Sequence, residues 1–216
     1  MLNMLTAAGL AASLLFPTGW GAGNPPPPDK IVVDLVTVNG TGCPAGTAAV
    51  AVSDDNQSFT VTYSAFTAMS GVGSKPTDMR KNCQLNLKVH VPNGFTYAIA
   101  STDYRGFGHL EPGSSAVHRA NYYFQGMSQT QYSTHNIAAP LDDNWQVTDQ
   151  VDIASLVFKP CGEERNFNIN AELRVAQGTA PATSTNFISM DSTDGNFQTI
   201  YHMALQKCPA PKPGKA

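Results

Sequence analysis

Side chains able to do chemistry are few and scattered in this 216-residue chain. The five histidines stand at 90, 109, 118, 135 and 202, and no two are spaced to share one face of a single strand. A zinc or copper site needs such convergence, and no HExxH run supplies it on a helix. Each histidine is therefore expected to be satisfied or solvent-facing. Glycoside hydrolysis needs two carboxylates facing each other across a cleft. The glutamates are Glu111, Glu163, Glu164 and Glu172, and Glu163-Glu164 reads as a solvated turn. Acidic residues gather at Asp142-Asp143, with Asp149 and Asp152 nearby, and again from Asp191 to Asp194. The second group lacks the alternating oxygens and closing glutamate of a calcium loop and reads as a hairpin turn. Asp142-Asp143-Asn144 has oxygens for a loose calcium site of the kind that pins extracellular loops, but no metal is expected. No GxSxG elbow occurs. No catalytic residue and no cofactor are expected.

The cysteines Cys43, Cys83, Cys161 and Cys208 contain no CxxC spacing, which argues against a metal site. They lie downstream of an apolar stretch at 2–16 without ionisable side chains. That stretch is too short to span a bilayer. With small residues at Gly21, Ala22 and Gly23 it reads as a secretory signal over 1–23, although no Lys or Arg precedes it. Export places the thiols in an oxidising compartment, where they pair. Four cysteines allow three pairings. We expect Cys43 with Cys83 and Cys161 with Cys208, one bridge in each half. A proline-rich linker at 24–28 frees the leader from a single folded unit at 29–208, and the proline-interrupted tail at 209–216 reads as disordered.

Charged residues make up 13% of the chain and the formal net charge is −3. That leaves no electrostatic footprint for nucleic acid, and no stable membrane insertion is expected. The expectation is a secreted, extracellular monomer.

The elements that must position the polar groups are strands. Leu85, Leu87, Val89 and Val91 alternate with Gln84, Asn86, Lys88 and His90. Phe167, Ile169, Ala171, Leu173 and Val175 alternate with Asn166, Asn168, Asn170, Glu172 and Arg174 in the same way. A period of two marks a strand with one buried face. Further strands are predicted at 31–38, 47–53, 58–67, 95–102, 104–110, 117–124, 145–151 and 197–206, with another at 154–158. Turn chemistry separates them at Asp54-Asp55-Asn56-Gln57, Pro92-Asn93-Gly94, Pro112-Gly113 and Asp194-Gly195. So many short strands predict an all-β fold, a two-sheet antiparallel β-sandwich of jelly-roll or immunoglobulin-like type, stapled by two disulfides.

One candidate ligand face follows from a hairpin about Pro112-Gly113. If Gly106 pairs with Tyr122 and Gly108 with Ala120, the opposite face sets Arg105 beside Tyr123, Phe107 beside Asn121 and His109 beside Arg119. Aromatic planes mixed with forked donors suit a glycan or a carboxylate. Asn39-Gly40-Thr41 and Asn56-Gln57-Ser58 are glycosylation acceptors at predicted turns, if the host is a eukaryote.

Arg80-Lys81-Asn82-Cys83-Gln84-Leu85-Asn86-Leu87 resembles a signature of small secreted proteins of fungi and bacteria. So do Tyr104-Arg105-Gly106-Phe107-Gly108-His109-Leu110, Tyr122-Tyr123-Phe124, the block from Cys161-Gly162 to Asn168-Ile169-Asn170, and Cys208. The resemblance runs from Ile31 to Cys208, to a family known only as a domain of unknown function. It implies secretion, disulfides and a β fold, and no activity. The expected role is a non-catalytic binding module for cell-wall polysaccharide or a host surface. The alternatives are an extracellular hydrolase or lyase and a structural protein of the extracellular matrix.

Overall fold

A computed structural model describes residues 30–190 and 198–210. The leader, the proline linker, the Asp191–Gly195 turn and the tail beyond 210 lie outside the described residues. Among the described residues twelve strands follow in chain order: β1 (Val32–Asn39), β2 (Ala48–Val52), β3 (Ser58–Tyr63), β4 (Thr67–Gly71), β5 (Arg80–His90), β6 (Phe95–Leu110), β7 (Ser115–Phe124), β8 (Gln131–Ala138), β9 (Leu141–Gln150), β10 (Phe167–Ala176), β11 (Thr185–Ser189) and β12 (Gln198–Lys207). Two antiparallel sheets result. The first is ordered β1-β5-β10-β7-β8. The second runs β2-β3-β12-β6-β11-β4, with β9 on the other edge of β6. The expected two-sheet sandwich is present.

Alternation decides which face of each strand is buried. Leu85, Leu87, Ile169 and Leu173 are fully buried, each stabilising the fold by about 1.5–3 kcal/mol. They meet Phe59, Tyr97 and Tyr201 of the opposing sheet in one core. Aromatic rings bridge the two layers: Phe59 stacks on Tyr201 with centroids 4.9 Å apart and meets Phe167 edge-on. The bridges join Cys43 to Cys83 and Cys161 to Cys208, as expected. Gly40 (φ +139°) lets the chain after β1 lie against β5. A Cβ there would sit 2.2 Å from the Asn82 carbonyl oxygen, which already accepts from the Gly42 N–H at 2.8 Å.

Four expectations need correction. Residues 95–110 form one 16-residue strand, not two. Residues 154–158 form no strand, because a single 3-10 turn (Ile153–Ser155) precedes unpaired chain. Of the predicted tight reversals, Asp54–Gln57 does close a hairpin between β2 and β3. Pro92-Asn93-Gly94 and Pro112-Gly113 instead carry the chain from one sheet to the other. Strands β6 and β7 therefore do not form a hairpin: β6 pairs with β12, β9 and β11, while β7 pairs with β10 and β8. Their apolar faces meet across the sandwich, where Tyr104 packs on His118 at 4.4 Å. Joining buried faces removes more apolar surface from water than edge pairing would.

Candidate functional site on the outer face of the five-stranded sheet

Because β6 and β7 belong to different sheets, the six residues expected to share a ligand face are split. Arg105, Phe107 and His109 lie on the outer face of the seven-stranded sheet. There Phe107 and His109 lie 6.0 Å from Phe187, and His109 Nδ1 is 3.0 Å from Asp142 Oδ1. Arg119, Asn121 and Tyr123 lie on the outer face of the five-stranded sheet. There β10 takes the place expected of β6, setting Glu172 beside Arg119, Asn170 beside Asn121 and Asn168 beside Tyr123.

Register then builds rows of polar side chains across that face. One row runs Asn39, Gln84, Asn170, Asn121, Tyr132 through β1, β5, β10, β7 and β8. From Gln84 to Tyr132 it crosses three strand spacings, about 14 Å. Tyr132 ends it with 79% of its surface exposed. A second row is locked by amide pairing: Asn86 Nδ2 donates to Asn168 Oδ1 (2.7 Å), and Asn166 Nδ2 donates to Asn86 Oδ1 (2.6 Å). A third holds Asn82, Glu172, Arg119 and Thr134. A shallow groove of about 550 Å³ follows the first and third rows, lined by Gln84, Asn121, Tyr132, Asn170 and Arg119 among others.

Glu172 is the one carboxylate in that lining. Arg80 Nε donates to its Oε2 at 2.6 Å and Arg174 Nε to its Oε1 at 2.5 Å, while Arg119 Nη1 stands 4.0 Å away. Burial pushes the Glu172 pKa up, but the hydrogen bonds from Arg174 and Arg80 outweigh it and hold the carboxyl below its usual range. It is a fixed anion between guanidinium groups, unlike a free acid or nucleophile. Of the other glutamates, Glu163 pairs with Arg165 and Glu164 with Lys88, while Glu111 lies 3.7 Å from His109.

Between the sheets the structure gathers residues the sequence kept apart. His118 and His135 sit opposite each other on β7 and β8 and stack at 5.7 Å. His135 Nε2 lies 3.0 Å from Asp149 Oδ1. His118 is fully buried, and neither ring nitrogen meets a hydrogen-bond partner among the described residues. The expectation of a satisfied or solvent-facing histidine fails there. Its signal was the pattern Ala116, His118, Ala120, Tyr122, Phe124, which puts it on the buried face of β7. Desolvation, then the neighbouring His135, lowers its pKa to about 3, so it stays neutral.

Asp142, Asp143 and Asn144 form paired strand in β9, with Asp142 engaged by His109 and Asp143 Oδ1 accepting from the Asn144 N–H. Among the described residues no three His, Cys, Asp or Glu side chains converge as a metal site would require. Asn39 is exposed at the end of β1, and Asn56 is half-buried with its Oδ1 accepting from the Ile31 N–H at 3.1 Å. Among the described residues no helix is long and apolar enough to cross a membrane.

Comparison with known proteins gives a relative and distant shapes. An uncharacterized secreted protein of Arthroderma benhamiae is 36% identical over 188 residues, covering 87% of this chain and 76% of that one. Among solved structures, the enzymatically active domain of a bacteriophage CBA120 tailspike protein overlaps 83% of this chain and 19% of its own. It does so at 11% identity and a TM-score of 0.25. The native virion of Kashmir bee virus overlaps 96% and 87% at 10% identity and a TM-score of 0.27. TM-scores that low transfer nothing to this chain. The family described as Domain of unknown function (DUF4360) matches residues 29–208, and the chain belongs to it.

Proposed function

We propose that the chain is a secreted, monomeric, non-catalytic module that binds an extracellular polysaccharide along the outer face of its five-stranded sheet. The observation that carries this reading is the row Gln84, Asn170, Asn121, Tyr132 along the groove. Each amide offers two donors and an acceptor in one plane, matching adjacent sugar hydroxyls. Strand pairing fixes the spacing of their backbone positions. Tyr132 offers an exposed ring for a sugar face to lie on. Export is supported by two disulfides and a relative described as secreted. Asn39, at the β1 end of the row, is an acceptor for N-glycosylation in a eukaryotic host.

Binding is favoured over hydrolysis because the groove's carboxylate is held by arginines and faces no second one. The test is retention of purified protein on cell-wall polysaccharide fractions, with reducing ends assayed in the same samples. Retention without new reducing ends is expected, weakened at least about tenfold, or 1.4 kcal/mol, by Asn121→Ala with Tyr132→Ala. Failure to bind any fraction, or binding untouched by both substitutions, rejects the reading.

A further inference from the structure

We propose that the polysaccharide is acidic, and that Arg80, Arg119 and Arg174 bind its uronate carboxylates beside the amide row. The proposal rests on the reading of this groove as a glycan site. Charge supports it first. Three arginines against one glutamate leave the groove a surplus of two positive charges, on a chain whose formal charge is −3. The surplus is local, on a surface otherwise short of charge.

Geometry supports it second. The three guanidinium side chains are 46–60% exposed, so they face solvent as well as Glu172. Arg119 lines the groove with its Nη1 4.0 Å from Glu172 Oε1, beyond hydrogen-bond distance. Guanidinium groups are strong donors to carboxylates, and the arrangement already holds one carboxylate, Glu172, by Arg80 at Oε2 and by Arg174 at Oε1. A ligand carboxylate would meet the same donors with Glu172 as its internal competitor. The third ingredient is spacing. Asn82, Glu172 and Arg119 stand two residues along their strands from Gln84, Asn170 and Asn121, about 7 Å away. A sugar chain lying on the amides therefore runs beside Arg119, with the paired Arg80 and Arg174 one row further along the strands.

The experiment compares polygalacturonate with its full methyl ester, which keeps the hydroxyls and removes the charge. Affinity gel electrophoresis at low and high salt should show the acid bound at least about tenfold more tightly, with the difference shrinking as salt rises. Arg119→Gln, which breaks no hydrogen bond to Glu172, should cut binding of the acid severalfold and leave the ester unchanged. Glu172→Gln removes the competitor and should strengthen binding of the acid. Unfolding midpoints of each variant confirm that it is folded. Equal binding of acid and ester, or an Arg119→Gln variant that binds the acid as the native chain does, overturns the acidic-ligand proposal. If the protein instead binds only neutral fractions, this proposal falls and the glycan reading stands. If it binds no polysaccharide, both fall.

Discussion

His118 is a residue whose burial changes its protonation at ordinary pH. Its imidazole sits between Tyr104, His135 and Trp145, with Asp149 behind His135. Held at a pKa near 3 when folded and near 6.5 when unfolded, it binds its proton only in the open chain. Its contribution to stability is therefore complete above about pH 6.5 and is lost as pH falls toward about 3, at about 1.4 kcal/mol per unit. Urea midpoints at pH 7 and pH 4 should differ strongly in the native chain and much less in His118→Phe, which keeps the ring. Equal pH sensitivity of both proteins would reject the assignment. Glu172 adds to the same acid limb, because a carboxylate held below its usual pKa loses its contribution as protons arrive. Glu172→Gln should cost about 1 kcal/mol at neutral pH, a modest figure because the arginine partners are half exposed and screened.

At the scale of elements, strands with clean alternation were legible and strands without it were not. Leu85, Leu87 and Val89 in β5, and Ile169 and Leu173 in β10, announce their buried face directly. Strand β8 buries only Ile137 outright, and β4 and β11 have five residues each, so none carries a period long enough to read. Pairing partners were the harder part. The sequence argument that Gly106 faces a large residue holds, but the large residue is Trp145 on β9, since Tyr122 belongs to the other sheet. Small-against-large complementarity specifies a kind of neighbour and leaves its identity open. For the same reason half the candidate face, Arg119, Asn121 and Tyr123, was legible, while its partners on β10 were not. A Cβ at Gly106 would lie 2.0 Å from the Ser189 carbonyl oxygen and 2.6 Å from the Trp145 ring. Gly106→Ala should cost about 1–3 kcal/mol and shift Trp145 fluorescence. An unchanged spectrum and melting temperature would contradict this packing. Removing the Cys161–Cys208 bridge, which ties the end of β12 to the segment before β10, should cost about 2–4 kcal/mol. Comparing melting temperatures of the native chain and Cys161→Ala/Cys208→Ala checks it.

Across the whole molecule, tyrosine supplies much of the aromatic core. Of seven tyrosines, Tyr63, Tyr97, Tyr104, Tyr122 and Tyr201 are buried, and burial raises the pKa of each above its ordinary value. A phenol with a raised folded pKa contributes stability that is complete below about pH 10 and lost as pH rises. Ultraviolet titration should therefore show these five ionising only as the fold opens. Ionisation of the five while the protein is still folded would show that the core is not closed.

Strand β5 is flanked by β1 on one side and β10 on the other, and Asn86 and Asn168 lie 82 residues apart in the chain. Likewise, β6 needs β12, which follows it only after five intervening strands. As the polypeptide emerges, the central ribbons of both layers stand for a long interval with one unpartnered edge each. Assembly is thus slow, governed by distant closures, and vulnerable to pairing between nascent copies. A cell that makes this protein must keep it dilute or escorted until β10 and β12 are available.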